Sequence, residues 1–114
     1  MPSPETVRLT TVSEIAGKTI SEEVTIIGAE AVYGVNAFKD LFAQVRDVFG
    51  GRSGSIQGVF KEARTEVLRE LQQEAAAVGA DAVIGVTLDY EEIQGGGRGG
   101  MLMVSATGTA VRLK

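Results

Sequence analysis

Asp89 and Glu91 stand two residues apart, with Tyr90 between them and Glu92 after. In an extended segment that spacing puts both carboxylates on one face. A pair of this kind can hold a hard cation such as Mg²⁺ or Ca²⁺, or exchange a proton with a substrate. The competing reading is a solvated strand end, and Glu22-Glu23 reads the same way. Met101 and Met103 repeat the spacing with thioethers, soft donors suited to Cu(I). Two thioethers make a poor site, so packing in a core or an interface accounts for them more simply. A neighbouring chain would have to complete any ligand set. Gly50-Gly51-Arg52-Ser53-Gly54 offers a guanidinium, a hydroxyl and free amides at a helix start, which suits an anion. It lacks the Lys-Ser/Thr of a phosphate loop and follows no strand. Arg52 paired with Asp40 or Asp47 competes with the anion reading. Between Gly95 and Gly100 five glycines surround Arg98, either as a loose loop tip or as a nest of amides.

The chain of 114 residues has no cysteine and no histidine. That closes disulfides, thiolate catalysis, Cys/His zinc sites, Ser-His-Asp triads and a histidine switch near neutral pH. Ser53, Ser55 and Ser105 could find only Lys, Asp or Glu as a base, and no spacing arranges one. With 11 basic and 15 acidic residues the net charge is −4, which gives no electrostatic ground for nucleic-acid binding. An apolar share of 44% with 23% charged residues is that of a globular domain. The start, with Pro2, Pro4 and Glu5, does not read as a signal peptide. The longest apolar candidate, Ala75 to Val86, is broken by Gly79, Asp81 and Gly85 and is too short for a membrane span. The expectation is a soluble cytoplasmic protein without a membrane or nucleic-acid partner.

Elements that must position these groups follow from periodicity. Val7–Thr11 and Glu23–Tyr33 read as strands, with Ala16-Gly17-Lys18 a turn between them. In the second strand Thr25, Ile27, Ala29, Ala31 and Tyr33 form the core face, and Val24, Ile26, Gly28, Glu30 and Val32 the other. Asn36 caps a first helix, whose apolar stripe runs from Phe38 to Phe49. Ser53 or Ser55 starts a second, reaching about Val78 and ended by Gly79. At about 1.5 Å per residue it is long for the domain, so its far end is expected to pack on a neighbouring chain. Asp81 should cap the turn beyond. In Ala82–Glu92, alternation places Ala82, Ile84, Val86, Leu88 and Tyr90 on one face, and Val83, Gly85, Thr87, Asp89 and Glu91 on the other. Met101–Arg112 sets Leu102, Val104, Ala106, Gly108 and Ala110 against Met101, Met103, Ser105, Thr107, Thr109 and Val111. The small residues there predict close approach of a helix or a second backbone. The class is α+β, an antiparallel sheet with helices on one face. Residues 1–10 read as an N-terminal extension and 11–114 as a single domain.

Taken together, Gly34-Val35-Asn36-Ala37-Phe38-Lys39-Asp40, Gly50-Gly51-Arg52-Ser53-Gly54, Gly79-Ala80-Asp81-Ala82-Val83-Ile84-Gly85-Val86, Asp89-Tyr90-Glu91 and Met101–Val111 resemble the YbjQ family, in order and from about Thr10 to the end. The departures are a short N-terminal extension and a longer glycine-rich loop. The resemblance implies a bacterial or archaeal protein with a dodecin-like β-α-β-β core, assembled as a pentameric ring, in a family that carries a heavy-metal-binding label. It brings no established catalytic residues and leaves the cofactor unknown. The functional expectation is a non-enzymatic cytoplasmic homo-oligomer that binds a small ligand or metal ion at subunit interfaces. Asn36, Arg52, Ser53, Asp89, Tyr90 and Glu91 are the candidate contacts. The alternatives are a structural or partner-docking ring, and a hydrolase built at an interface from Asp89, Glu91 and Arg52.

Overall fold

The computed structural model describes residues 3–33, 56–95 and 99–114. A 3₁₀ turn, Pro4–Thr6, leads into the two-residue strand β1 (Arg8–Leu9); β2 (Ile20–Tyr33), the helix α1 (Ile56–Ala77), β3 (Ala82–Gly95) and β4 (Gly99–Leu113) follow. The four strands make one sheet in the order β1-β3-β4-β2. The α+β class holds, with one correction. The sheet is mixed, because β1 runs parallel to β3 through Arg8–Ala82 and Leu9–Val83. After β1 the chain does not fold back as a hairpin; it crosses to the far edge, where β2 pairs antiparallel with β4. The expected turn is present. Lys18 N–H donates to Ile15 C=O at 3.1 Å, and Gly17 takes the positive φ of 76° that the third position of a type II turn requires. The helix expected over Phe38–Phe49 lies outside the described residues.

Apolar spacing in α1 places Ala63, Val67, Leu71 and Ala75 on one stripe, and all four are fully buried. They pack with Ile27 and Ala29 of β2, Val83 and Val86 of β3, and Leu102, Val104, Ala106 and Ala110 of β4. These four turns of helix are therefore covered by the chain's own sheet. Arg69 and Glu66 form an i,i+3 ion pair at 2.9 Å on the solvent side. Gly79 (φ 77°) ends the helix in a Schellman motif: Ala80 N–H donates to Ala75 C=O at 2.9 Å and Gly79 N–H to Ala76 C=O at 3.0 Å. Asp81 does not cap this turn, contrary to expectation. Its Oδ2 accepts from Leu113 N–H at 2.8 Å and ties the end of β4 to the start of β3.

One irregularity changes which residues face the helix. The β3–β4 register runs Ile84–Thr109 and then Thr87–Thr107, so Gly85 and Val86 together oppose Gly108. Gly85 has φ 61°, the left-handed first residue of a G1 bulge. The extra residue shifts the alternation. Val83, Val86 and Leu88 face the helix, while Ala82 and Ile84 turn to the other side and pack with Ile15 and Val111. The expected face of Val83 and those of Ala82 and Ile84 are thus exchanged. A register shift between Glu23 and Thr25 likewise brings Val24 to the helix-side core rather than to the face of Ile26. The bulge also anchors the incoming chain, with Gly85 N–H on Val12 C=O at 2.9 Å and Val86 N–H on Thr10 C=O at 3.0 Å. A Cβ at Gly85 would meet nothing within 4 Å. Gly85→Ala is therefore expected to lose only the left-handed backbone cost, about 1–2 kcal/mol, in chemical denaturation with an unchanged m-value. A loss near zero would mean that the bulge relaxes.

Candidate functional site

With α1 on one side, the opposite side of the upper sheet is uncovered among the described residues. Three strands build it in cross-strand rows. Val32, Met103 and Glu91 make one row; Glu30, Ser105 and Asp89 the next; Gly28, Thr107 and Thr87 the third. The Thr87 and Thr107 hydroxyls are hydrogen-bonded at 2.9 Å. Ile26 is 79% exposed, Val32 51% and Met101 42%. Asp89 and Glu91 share this face as their spacing predicts, and both are exposed. Glu30, which the sequence reading did not single out, joins them across Ser105. Its signal was its place on the outward face of β2.

Tyr90 points the other way. Its ring meets Phe60 of α1 edge to face, with centroids 5.7 Å apart, and Arg64 Nη1 donates to its hydroxyl at 3.5 Å. The structure therefore brings Asp89 and Glu91 together and separates Tyr90 from them by the thickness of the sheet. Asn36, Arg52 and Ser53 lie outside the described residues.

On the helix side, burial and the nearby carboxylates of Glu66, Glu62 and Glu70 raise the Tyr33 hydroxyl above its ordinary 10.0. A raised value means that the folded chain holds this proton more tightly than the unfolded chain. The stabilisation is complete below about pH 10 and is lost as pH rises through the folded value. In a Tyr90→Phe background, the tyrosinate absorbance is expected to titrate above 10.0, and Glu66→Gln to lower the midpoint. A midpoint at or below 10.0 would remove the acidic neighbourhood from the account.

A family model for YbjQ proteins, described as "Putative heavy-metal-binding", matches residues 7–114. The chain belongs to the YbjQ family. It is 48% identical over 106 residues to a UPF0145 protein of Pseudomonas fluorescens, covering 93% of this chain and 98% of the relative. Among solved structures it resembles a protein of unknown function from Pediococcus pentosaceus that belongs to the DUF74 family. That likeness has a TM-score of 0.56 at 20% identity and covers 95% of this chain and 98% of the other, so it speaks for the fold alone.

The heavy-metal description of the YbjQ family can be set against the donors present. Thiolate and imidazole, the ligands that soft and borderline ions prefer, are absent from the sequence. Glu30 and Asp89 are two strand spacings apart, roughly 10 Å, whereas ligand oxygens sit roughly 2.3–2.6 Å from a hard cation. Among the described residues no group of three or more acidic side chains converges to hold an ion. Met101 and Met103 are two thioethers on one strand. A single chain's described residues do not fit a heavy-metal centre. No helix among them is long and apolar enough to cross a membrane.

Proposed function

We propose that this YbjQ protein is a non-enzymatic, cytoplasmic homo-oligomer, a pentameric ring, that holds a small ligand where its subunits meet. The observation that carries the reading is the sheet face left uncovered among the described residues, with Val32 and Met101 exposed beside Met103 and Ile26 exposed further along β2, opposite Thr109. A monomeric protein rarely leaves such apolar side chains together on a flat, regular surface. Its polar rows would give the ligand contacts at Asp89 and Glu91; Asn36, Arg52 and Ser53 are further candidates on the sequence alone. A metal ion would need donors from several copies, since one chain's described residues do not assemble them. Among the described residues β2, α1, β3 and β4 follow in the order β-α-β-β, which is compatible with the dodecin-like core proposed for the subunit. The strand order adds a second support. Among the described residues β2 forms one edge of the sheet along 14 residues, and the chain from β1 to Val12 covers β3 only as far as Val86. Long free edges invite pairing with another chain.

Native mass spectrometry of the untagged protein tests this, because a histidine tag would supply the imidazoles the chain lacks. A mass of five chains with a stoichiometric adduct is the expected result. An empty ring would move the reading to a partner-docking scaffold. A monomer at micromolar concentration would overturn it.

A further inference from the structure

An assembly built on the open sheet face needs a second surface. Two copies that meet through the same face form a two-fold pair, and the contact ends there. A ring of five closes only when that face meets a different surface of the next copy. The mate must be apolar, because Val32 and Met101 are exposed beside Met103, and Ile26 is exposed further along β2. It must also carry positive charge, because Glu30, Asp89 and Glu91 share the face.

One stretch of the sequence meets both conditions. Phe38, Leu41, Phe42, Val45, Val48 and Phe49 recur so that a helix would gather them within about 120° of its circumference. Lys39 and Arg46 would border that stripe on the side of Phe42, whereas Asp40 and Asp47 would fall opposite it. A helix over Phe38–Phe49 is about 18 Å long at 1.5 Å per residue. The strand from Ile26 to Val32 covers about 20 Å. The segment also leaves and rejoins the described chain at the right end of the sheet. β2 closes at Tyr33. Phe60, near the start of α1, meets Tyr90, which lies level with Ala31 across Val104. Residues 34–55 therefore begin and finish beside the row of Val32. On its own sheet the stripe would cover the face and take it out of the assembly; on a neighbour's sheet it supplies the missing surface.

We propose that Phe38–Phe49 of one copy docks as an amphipathic helix on the open sheet face of the next. Its apolar stripe lies against Val32, Met103 and Ile26, and Lys39 and Arg46 turn toward Glu30, Asp89 and Glu91. Every copy then gives one segment and receives one, which closes head to tail. The inference rests on the ring proposed above and names the surfaces that make it.

The chain has no cysteine, so introduced thiols are the only ones present. The test is cross-linking of the full-length double variant Val32→Cys with Val45→Cys by a short bismaleimide, whose reach tolerates a shift in register. Native mass spectrometry first weighs the same sample. Docking between copies should give a ladder that ends at five chains on a denaturing gel, and neither single variant should pass two. A chain bridged only to itself would place the stripe on its own face and overturn the proposal. An intact ring with neither product would also overturn it, and would leave the ring reading standing. A mass of one chain would remove the ring and the docking together. A charge exchange gives a second readout by sedimentation velocity. Lys39→Glu with Arg46→Glu should weaken association about tenfold, from about threefold per exposed charge. Asp89→Lys with Glu91→Lys in that background should restore it. Equal assembly of all three proteins, or a loss that the second pair deepens, would overturn the docking.

Discussion

Gly108→Ala is expected to destabilise the fold by about 1–3 kcal/mol, the usual cost of forcing a methyl group into a packed core. The added Cβ would stand 2.6 Å from Val83 Cγ1, 3.1 Å from Ile84 O and 3.3 Å from Val86 Cγ2. Val83 is fully buried and Ile84 O is backbone, so neither yields easily. The crowding has a single cause. The bulge sets Gly85 and Val86 against one residue of β4, so two valines flank the space that a side chain at 108 would fill. Gly28 is the control. Its Cβ would meet Ala106 O at 3.3 Å and Thr107 Cγ2 at 3.5 Å on the exposed face, a milder crowding with no contact under 3.0 Å, so Gly28→Ala should cost less than about 1 kcal/mol. Val83→Ala placed in the Gly108→Ala background should cost less than Val83→Ala alone, because it removes the 2.6 Å contact. Thermal and denaturant unfolding of the four variants decide it. Additive losses, or a Gly108→Ala protein as stable as wild type, would mean that the bulge does not set the packing.

That same bulge marks the limit of what alternation alone could reveal. In β4 the inward set of Leu102, Val104, Ala106 and Ala110 was legible because the strand is regular through them. In β3 the period breaks at Gly85, and every inference upstream of it inverts. An isolated glycine in a strand is the signal of such a break, yet which residue is extra depends on a partner strand more than 20 positions away. Local chemistry was legible: the Gly79 cap, the Gly17 turn and the apolar stripe of α1 are each written within a few residues. Long-range pairings were not. β1 offers two residues to a strand in the second half of the chain, and the Asp81 carboxylate finds its donor 32 positions on.

The candidate site divides along the same line. Asp89 and Glu91 fall on one face because the strand is regular after the bulge, and Tyr90 falls on the other for the same reason. The third carboxylate, Glu30, joins Asp89 only across Ser105 of β4, and the two stand in different halves of the chain, so no spacing could announce it. Asn36, Arg52 and Ser53 keep the standing that the sequence gives them.

Replacing Ile26 and Val32 together by lysine is the change with the largest expected effect on assembly. In a single chain both side chains are mostly in water, at 79% and 51% exposure, so folding should lose little, within about 0.5 kcal/mol at each site. Between copies the balance reverses. Burying each apolar side chain contributes about 1.5–3 kcal/mol, and an ammonium group in its place must be desolvated without an assured partner. Losing both contributions should weaken association by a factor on the order of 100 or more. The chain keeps a core of its own, with Val67, Leu71, Val83 and Val104 fully buried under α1, so the variant should remain a folded, helical monomer. Sedimentation velocity at about micromolar concentration with far-ultraviolet circular dichroism reads both quantities. Wild type should sediment as the ring and the variant as one chain with an unchanged spectrum. If the variant assembles as wild type does, the copies meet elsewhere, and the edges of β2 and β3 that the described residues leave open become the surfaces to change. If it unfolds as it dissociates, the exposed face supports the monomer's own fold, and the ring would be obligate rather than a union of stable chains.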